Sequence, residues 1–228
     1  MTTELSITLK PEDENNPKVI LSKLLIALKQ KEIFTSEDKI TPVFIKKSID
    51  ARHGQIKIIQ RYKIYIDEKP KDEEHVANNE KIATKKVIII GSGPAGLYSA
   101  FRLLEEGIQP IIIERGNSTF KRKLDIEELT THGTLNAQSN FCFGAGGAGT
   151  FSDGKLYTRS NKRGDINKIY RIFVEFGAPS NILTDAHPHI GTDKLPIIID
   201  NMEKKLLELG AEIYFNTLCT DLIVEKKS

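Results

Sequence analysis

Residues 85–116, KKVIIIGSGPAGLYSAFRLLEEGIQPIIIERG, contain in immediate succession the patterns of a strand, a glycine turn, a helix and a second strand. The aliphatic run Val87–Ile90 is typical of a central parallel strand that is buried on both faces. A helix with an apolar stripe then begins near Pro94 and ends at Gly107, and Ile111–Ile113 predicts the second strand. Such a βαβ pattern is typical of a dinucleotide-binding unit.

The glycines of this turn lie where a dinucleotide-binding unit needs them. Gly91 permits the tight turn, Gly93 lets a pyrophosphate approach the backbone, and Gly96 lets the helix pack closely on the strand. The N–H groups and the positive dipole end at the start of the helix favour the anion. Glu114 follows the second strand, where its carboxylate can accept hydrogen bonds from a ribose diol and would repel a 2′-phosphate. The pattern suits FAD and NAD equally well.

A second glycine-rich segment, SNFCFGAGGAGTFSDGKLYTR, occupies residues 139–159. Flexible linkers lack large apolar residues, whereas this segment contains Phe141, Phe143 and Phe151, which we expect to be buried. Cys142 is expected to be a small buried apolar residue rather than part of a dithiol relay. The segment is thus predicted to be an anchored loop. Four glycines would turn its backbone through positive φ and offer N–H donors to a cofactor: Gly144, Gly146, Gly147 and Gly149.

Composition excludes several classes of protein. Of 228 residues, 39% are hydrophobic, which is enough for one large domain or two modest ones. Lys and Arg total 33 against 31 Asp and Glu, so a net charge of +2 predicts no nucleic-acid partner. No signal peptide or membrane-spanning run is evident, so we expect a cytoplasmic protein without a membrane partner. Two cysteines, Cys142 and Cys219, suit a reducing compartment and exclude a CxxC motif.

A polar stretch divides the chain. Residues 67–86 are rich in charged and amide side chains and are predicted to be a linker between residues 1–66 and residues 87–228. The first part predicts a small α+β module of the βαββ type, with a strand at 5–9, a helix at about 18–30, and strands at 43–49 and 56–66. Tyr62 and Tyr65 alternate across one strand, so they form no platform for stacked bases, and we favour a packing or assembly role over RNA binding.

Two further helices are predicted downstream of the glycine-rich segment. Asp165 would cap a helix that ends at Gly177. Another helix would start near Asp193, with Thr192 and Asp193 as caps. A strand at Glu212–Phe215 follows.

The chain also resembles a known family. The resemblance lies in GSGPAG with Glu114, Arg115 and Gly116 after it, in the glycine-rich segment, in GAP at 177–179 and in PHIGTDKL at 188–195. Together these motifs resemble the bacterial FAD-dependent dehydrogenase-like flavoproteins of glutathione-reductase-type fold. The likeness runs from about Val87 onward, and more loosely over the N-terminal module with its SIDAR at 48–52. The family usually carries a glutamate where this chain has Ala145.

The resemblance implies an α/β fold, namely an incomplete Rossmann-like FAD-binding domain preceded by the small α+β module. It implies that the first glycine turn holds the pyrophosphate, that Glu114 binds the adenosine ribose, and that residues 144–150 with Ser152, Asp153 and Lys155 line the flavin. The Cys219–Val224 segment is similar to the one whose backbone contacts the adenine. The predicted cofactor-binding residues are Gly91, Gly93, Pro94, Ala95, Gly96, Glu114, Arg115, Gly144, Gly146, Gly147, Gly149, Thr150 and Cys219.

By the same resemblance, the chain ends before the strands that would close the nucleotide layer. We therefore expect the N-terminal portion of a longer flavoprotein or one half of a split one. A terminal strand at Cys219–Val224 would present an unpaired edge, for which a separate C-terminal half or self-association are the expected partners. Alone, the chain would bind FAD weakly or not at all and would oxidise NAD(P)H no faster than free flavin does.

The function predicted is that of an FAD-dependent oxidoreductase with a small-molecule substrate, and with NAD(P)H as a candidate electron donor or acceptor. An NAD-binding dehydrogenase and a non-catalytic nucleotide-binding or assembly module are the alternatives. The candidate catalytic residues are Asp153, Lys155 and His189, and the sequence does not identify the substrate. His187 and His189 have no third ligand at a suitable spacing, so no metal site is predicted.

Overall fold

A computed structural model describes residues 1–70, 85–156, 164–191 and 193–224. Within these ranges the chain forms two compact units. One comprises residues 1–70 and 180–188, and the other comprises residues 85–179 and 189–224 with the gaps given above. No helix in the described ranges is long and apolar enough to cross a membrane. Most of the linker predicted at 67–86 lies outside the described residues, as do Thr192 and the end of the glycine-rich segment.

The first unit is a three-stranded antiparallel sheet with one helix. Its elements are β1 (Thr2–Leu9), α1 (Pro17–Gln30), β2 (Ile40–Asp50) and β3 (Lys57–Ile66), and the strand order is β1-β3-β2. Alternate residues of β3 are buried with Leu24 and Leu28 of α1, so one face of the sheet carries the core. The Lys47 N–H on the other edge of β2 donates to the Thr184 carbonyl at 2.6 Å, which fastens residues 180–188 to this sheet.

The second unit is a parallel sheet with helices. It contains β4 (Lys85–Ile90), α2 (Pro94–Glu105), β5 (Ile108–Ile113), α3 (Thr119–His132), α4 (Ile166–Glu175), α5 (Leu195–Glu208) and β6 (Glu212–Tyr214). The strand order is β4-β5-β6, and both pairings are parallel. Leu97 and Ala100 of α2, Ile112 of β5 and Met202 of α5 are fully buried. The arrangement is consistent with a partial Rossmann-like domain.

The prediction that β4 is buried on both faces is wrong for this chain. Val87, Ile88 and Ile90 expose 38%, 62% and 58% of their surface. The strand pairs with β5 along one edge, and none of the described strands pairs with the other edge. An aliphatic sequence indicates that a strand is suited to burial, but burial also requires neighbouring strands and helices that cover it, and the local sequence does not specify these. The strand also begins at Lys85, so Lys85 and Lys86 belong to the sheet rather than to the linker.

The helices agree with the sequence in part. Asp165 caps α4 as predicted, since its Oδ1 accepts from the N–H of Asn167 at 2.9 Å. The helix expected near Asp193 begins at Leu195, and its N-cap Lys194 makes no side-chain cap hydrogen bond, so Asp193 is not the cap. Helix α3 was not predicted, because its buried positions include Thr119 and Arg122 and its apolar periodicity is weak.

The prediction of a strand at Cys219–Val224 is also wrong. The chain is irregular after β6, and Leu222, Ile223 and Val224 expose 73%, 90% and 86% of their surface. The sequence is apolar enough for a strand, but a strand requires a neighbour with which to exchange backbone hydrogen bonds. Among the described residues this segment has no such neighbour.

Candidate functional site

The first glycine turn joins β4 to α2. Gly91 adopts a φ of +101°, a conformation that glycine adopts at no steric cost. A Cβ atom on Gly96 would lie 2.0 Å from the carbonyl oxygen of Gly91 and 3.3 Å from Cγ2 of Ile89. Gly96 is therefore required for the close contact between helix and strand, as the sequence predicts. Pro94 and Ala95 form the first turn of α2.

Gly93 differs from these two glycines, because neither its backbone conformation nor a close contact requires a glycine at this position. Its φ of −69° and ψ of 178° are open to any residue. A Cβ atom there would meet nothing closer than Cα of Gly147, at 3.9 Å, which is ordinary van der Waals contact. A side chain at Gly93 would thus meet no close contact at its Cβ atom, at the N-terminus of a helix whose N–H groups favour an anion. The role predicted for Gly93, close approach of a pyrophosphate group to the backbone, stays a prediction.

The second glycine-rich segment packs directly on the first turn. The Gly146 N–H donates to the Ser92 carbonyl at 3.0 Å, and a Cβ atom on Gly147 would lie 3.3 Å from Cα of Gly93. Gly144, Gly146 and Gly147 have positive φ, as predicted, whereas Gly149 does not. The prediction for Gly149 is therefore wrong, and a Cβ atom there would meet open space. We refer to residues 140–150 as the glycine loop.

Arg122 of α3 holds the glycine loop from beneath. Its side chain is fully buried, and its guanidinium donates to five backbone carbonyls at 2.6–3.2 Å. Burial lowers the pKa of Arg122, while the charges of Glu114 and Cys142 raise it. The carbonyl groups that accept from Arg122 belong to Asn140, Phe141, Gly144, Ala145 and Gly147. Sequence reasoning missed this residue, because in the run KRK at 121–123 nothing distinguishes a buried arginine from its exposed neighbours.

The aromatic residues do not anchor the loop in the way the sequence predicts. Phe141 and Phe143 expose 42% and 39% of their surface rather than being buried. The guanidinium of Arg115 lies 3.9 Å from the ring centroid of Phe143, and that of Arg122 lies 5.1 Å from the ring of Phe151. Because one arginine satisfies the loop carbonyls, the loop is ordered without a full apolar anchor.

A pocket of about 350 Å³ opens between the two glycine segments and the chain after β6. This volume is at the lower end of the range of ligand pockets, about 300–1,000 Å³, so the pocket suits one part of a dinucleotide. Asp153, Lys155 and His189 are not among the residues that line it. The predicted residues that do line it are Gly91, Glu114, Arg115, Gly144, Gly147 and Cys219.

Glu114 lies in this pocket with most of its carboxylate already engaged. Its Oε2 accepts from the N–H of Ser92 at 2.8 Å and from Ser92 Oγ at 3.2 Å, and its Oε1 accepts from the N–H of Gly116 at 2.8 Å. A carboxylate offers about four acceptor positions, so one remains for a ribose hydroxyl. Glu114 thus also fixes the backbone of both flanking turns, a structural role that the sequence does not reveal.

The three candidate catalytic residues lie close to one another on the surface. Lys155 and His189 form an antiparallel bridge through their backbones, and Nζ of Lys155 lies 2.7 Å from Oδ2 of Asp153. The lysine hydrogen bond holds the pKa of Asp153 below its usual value, and the Asp153 hydrogen bond raises the pKa of Lys155. Both side chains are mostly exposed. Their ion pair is thus typical of a solvated surface pair.

The two cysteines both line the pocket. Cys142 is exposed, so the expectation that it is a buried apolar residue is wrong, and Cys219 is half-buried. Both thiols are free. The N–H of Cys142 donates to Oδ1 of Asn140 at 2.9 Å, and the carbonyls of the two preceding residues, Asn140 and Phe141, accept from Arg122. No group of three or more potential metal ligands occurs in the described part of the chain.

Glu203 is a second acid in this region that sequence reasoning missed. It lies one turn after Ile199 on α5. The side chain of Ile199 lies 2.9 Å from the position that a Cβ atom on Gly146 would occupy. Glu203 exposes 5% of its surface, and its Oε1 has no hydrogen-bond partner among the described residues. Burial, with the charges of Asp200 and Glu114, raises the pKa of Glu203 to about 8. The side chain is therefore protonated at neutral pH.

Glu203 predicts a pH dependence of stability. Between pH 4.5, its usual pKa, and about 8, the unfolded chain ionises this group while the folded chain does not. The free energy of unfolding should therefore fall as pH rises through this window, by up to about 1.4 kcal/mol for each pH unit from this group. Urea unfolding across pH 5–8 should show a smaller fall for Glu203→Gln than for the unmodified chain. Glu208→Gln, an exposed change on the same helix, should leave the slope unaltered. Equal slopes for Glu203→Gln and the unmodified chain would contradict the assignment.

Comparisons with known proteins bear on the segment that contains the first glycine turn and Glu114. Residues 84–123 match the family described as FAD binding domain, and residues 1–65 match a family described as Domain of unknown function (DUF8436). A protein of Clostridium beijerinckii described as "Uncharacterized protein" is 34% identical over 205 residues, which cover 82% of this chain. The aligned region covers 38% of that relative, so the chain spans well under half of its length. The match at 84–123 supports an FAD-binding domain of the oxidoreductase type.

Proposed function

We propose that the second unit binds FAD between the first glycine turn and the glycine loop, as part of an FAD-dependent oxidoreductase. The observation that carries this proposal is the pocket of about 350 Å³ that Gly91 of the first turn, Gly147 of the glycine loop and Glu114 line together. FAD would supply the hydride chemistry when bound. The residues of the chain would hold the pyrophosphate at the N-terminus of α2 and the adenosine ribose at Glu114.

The flavin end of the cofactor is assigned to the far side of the glycine loop. Thr150 is buried there, and its Oγ1 donates to the carbonyl of Ala145 at 3.4 Å. The surface pair of Asp153 and Lys155, bridged to His189, follows directly. A small-molecule substrate and NAD(P)H are proposed to meet the flavin at this end, with these three residues as the candidate polar groups.

A partner is proposed for the free edge of β4. Its exposed apolar residues, and the backbone edge with which no described strand pairs, would be covered by further strands of a C-terminal half, either in the same protein or as a separate chain. The greater length of the Clostridium beijerinckii relative is consistent with such a half. Self-association through the same edge is the competing arrangement, and analytical ultracentrifugation of the 228-residue chain distinguishes a dimer from a monomer.

The experiment that tests cofactor binding is a titration of FAD fluorescence anisotropy with the 228-residue chain. FMN, NADH and NADPH are titrated in parallel. We expect weak but saturable binding of FAD, since the chain alone is predicted to bind it weakly, and still weaker binding of NADPH, because Glu114 repels a 2′-phosphate. Preference for NADH over FAD would favour the NAD-binding dehydrogenase, and no binding of any of these would favour an assembly module. Steady-state NAD(P)H oxidation is measured on the same samples against free FAD.

Replacing Glu114 by alanine should have two separable effects. The free energy of unfolding without FAD should fall by about 1–3 kcal/mol, because the buried N–H groups of Ser92 and Gly116 lose their acceptor. The affinity for FAD should fall by about tenfold or more, because the hydrogen bond from the ribose to a charged acceptor is lost. Urea unfolding gives the first effect, and FAD titration of the folded variant gives the second. Glu128→Ala, on the exposed face of α3, is the control. An unchanged dissociation constant for FAD would show that the ribose binds elsewhere.

A further inference from the structure

Arg122 makes a set of contacts that ordinary core packing does not explain. A fully buried guanidinium is expensive unless its donors are satisfied, and here they are satisfied by backbone carbonyls rather than by a carboxylate. All five acceptors lie within eight consecutive residues of the glycine loop. The side chain therefore fixes the direction of successive peptide groups in one segment.

Because the peptide group is planar, the direction of each carbonyl also sets the direction of the N–H group in the same peptide. In a trans peptide the N–H points opposite to the carbonyl. The peptides whose Gly144 and Ala145 carbonyls face Arg122 thus direct the N–H groups of Ala145 and Gly146 away from it. These two N–H groups donate to the Asn117 and Ser92 carbonyls, each at 3.0 Å. Arg122 on one side and the first glycine turn on the other hold the loop between them.

The Gly147 carbonyl is an acceptor of Arg122 that lies beside the proposed ligand site. It accepts from Arg122 at 2.7 Å, so the N–H of Ala148, in the same peptide, points away from the guanidinium. In the described part of the chain no backbone or side-chain acceptor takes this N–H. Gly147 is also the residue that packs on Gly93, since its Cα lies 3.9 Å from the position of a Cβ on Gly93, and it lines the pocket that contains Glu114. The peptide after Gly147 thus carries an N–H donor without a partner among the described residues, next to a residue that lines the pocket.

We propose that Arg122 is the positioning residue of the glycine loop, and that its five carbonyl contacts keep the loop N–H groups directed at the first glycine turn and at an anionic ligand. Its charge lies directly beneath the loop and adds to the attraction of that anion. The ligand part of this proposal rests on the proposed FAD site, whereas the ordering of the loop does not. Arg122 itself is fully buried and acts through the loop rather than by contact with the cofactor.

Two substitutions separate geometry from charge. Arg122→Met removes both, and Arg122→Lys keeps the charge but replaces a planar fork by a point charge that cannot reach five carbonyls. Hydrogen exchange of the Ala145 and Gly146 amides is measured in the 228-residue chain without FAD, relative to amides of α2 and α1. We expect exchange at least about tenfold faster in both variants, with α2 and α1 unchanged. Lys123→Met, an exposed change of equal charge on the same helix, should behave as the unmodified chain.

The affinity for FAD gives the second readout. We expect the dissociation constant to rise at least about tenfold in Arg122→Lys and further in Arg122→Met. In Arg122→Ala, millimolar guanidinium, far below denaturing concentrations, should restore amide protection and FAD affinity together, whereas tetramethylammonium should not.

Three outcomes would overturn the positioning role. One is unaltered exchange at Ala145 and Gly146 in both Arg122→Met and Arg122→Lys. Another is loss of protection throughout the second unit that guanidinium does not reverse, which would make Arg122 a general core residue. The third is wild-type exchange in Arg122→Lys, which would leave a role for charge alone. If the unmodified chain does not bind FAD, the proposed function fails, while the exchange measurements still decide the role of Arg122.

Discussion

A Gly93→Val variant is expected to lose FAD binding while keeping its fold. The backbone at Gly93 is extended, which valine adopts readily, and a Cβ atom there meets only Cα of Gly147 at 3.9 Å. As the N-cap of α2, valine costs about 1 kcal/mol relative to glycine, which a folded unit can absorb. The branched side chain would, however, fill the space assigned to the pyrophosphate. The dissociation constant for FAD should rise at least about 100-fold, a loss of about 2.7 kcal/mol.

The measurement for Gly93→Val is FAD anisotropy, accompanied by circular dichroism and urea unfolding of the same sample. Gly93→Ala should give an intermediate loss of affinity with almost unchanged stability. Ser99→Val, an exposed change on α2 outside the proposed site, is the matched control for affinity. A folded Gly93→Val chain that binds FAD as tightly as the unmodified chain would refute the role assigned to this glycine.

Gly96→Ala is expected to have the opposite signature, a loss of folding rather than of binding alone. The new Cβ atom would lie 2.0 Å from a backbone oxygen of Gly91, and neither partner is the end of a flexible side chain. Helix α2 would have to move away from β4, which removes the burial of Leu97 and Ala100. The higher helix propensity of alanine returns only about 1 kcal/mol. We expect a net loss above about 3 kcal/mol in the free energy of unfolding.

Chemical unfolding followed by far-ultraviolet circular dichroism tests the Gly96 prediction. Gly149→Ala should lie within about 0.5 kcal/mol of the unmodified chain, since it makes no new contact. If Gly96→Ala were as stable as Gly149→Ala, the close packing of α2 on the first glycine turn would not be required. The variants at Gly93 and Gly96 thus distinguish a glycine that is needed for ligand binding from a glycine that is needed for packing of α2 on the first glycine turn.

The local pattern of the sequence was sufficient for the order of elements in residues 85–116. The aliphatic runs, the glycine spacing and the helix periodicity are short-range features, and the strands, α2 and the Gly96 contact follow from them. The cap at Asp165 follows for the same reason, since a cap is decided by residues two or three positions apart. The expectation that Gly93 leaves space for a ligand also depends only on the turn itself.

Features that depend on contacts between residues distant in sequence could not be predicted from local patterns. Helix α3 has weak periodicity, so neither the helix nor its buried Arg122 was evident, and the loop anchor was assigned to phenylalanines that remain exposed. Glu203 is on an ordinary amphipathic helix, and only the tertiary packing of α5 makes it a buried acid. The exposure of β4 and the absence of a strand at Cys219–Val224 depend on which neighbours are present.

The βαβ unit, the positions of its glycines and the acid at Glu114 follow from local sequence, because each depends on backbone conformation within a few residues. The contacts of Arg122 with the glycine loop, the bonds of Glu114 to the N–H groups of Ser92 and Gly116, and the pocket beside Glu114 follow only from the packing of separate elements. The physical reason is that burial and hydrogen-bond partners are set by side chains that approach in space from separate elements, and no local pattern encodes which of two adjacent basic residues will face inward.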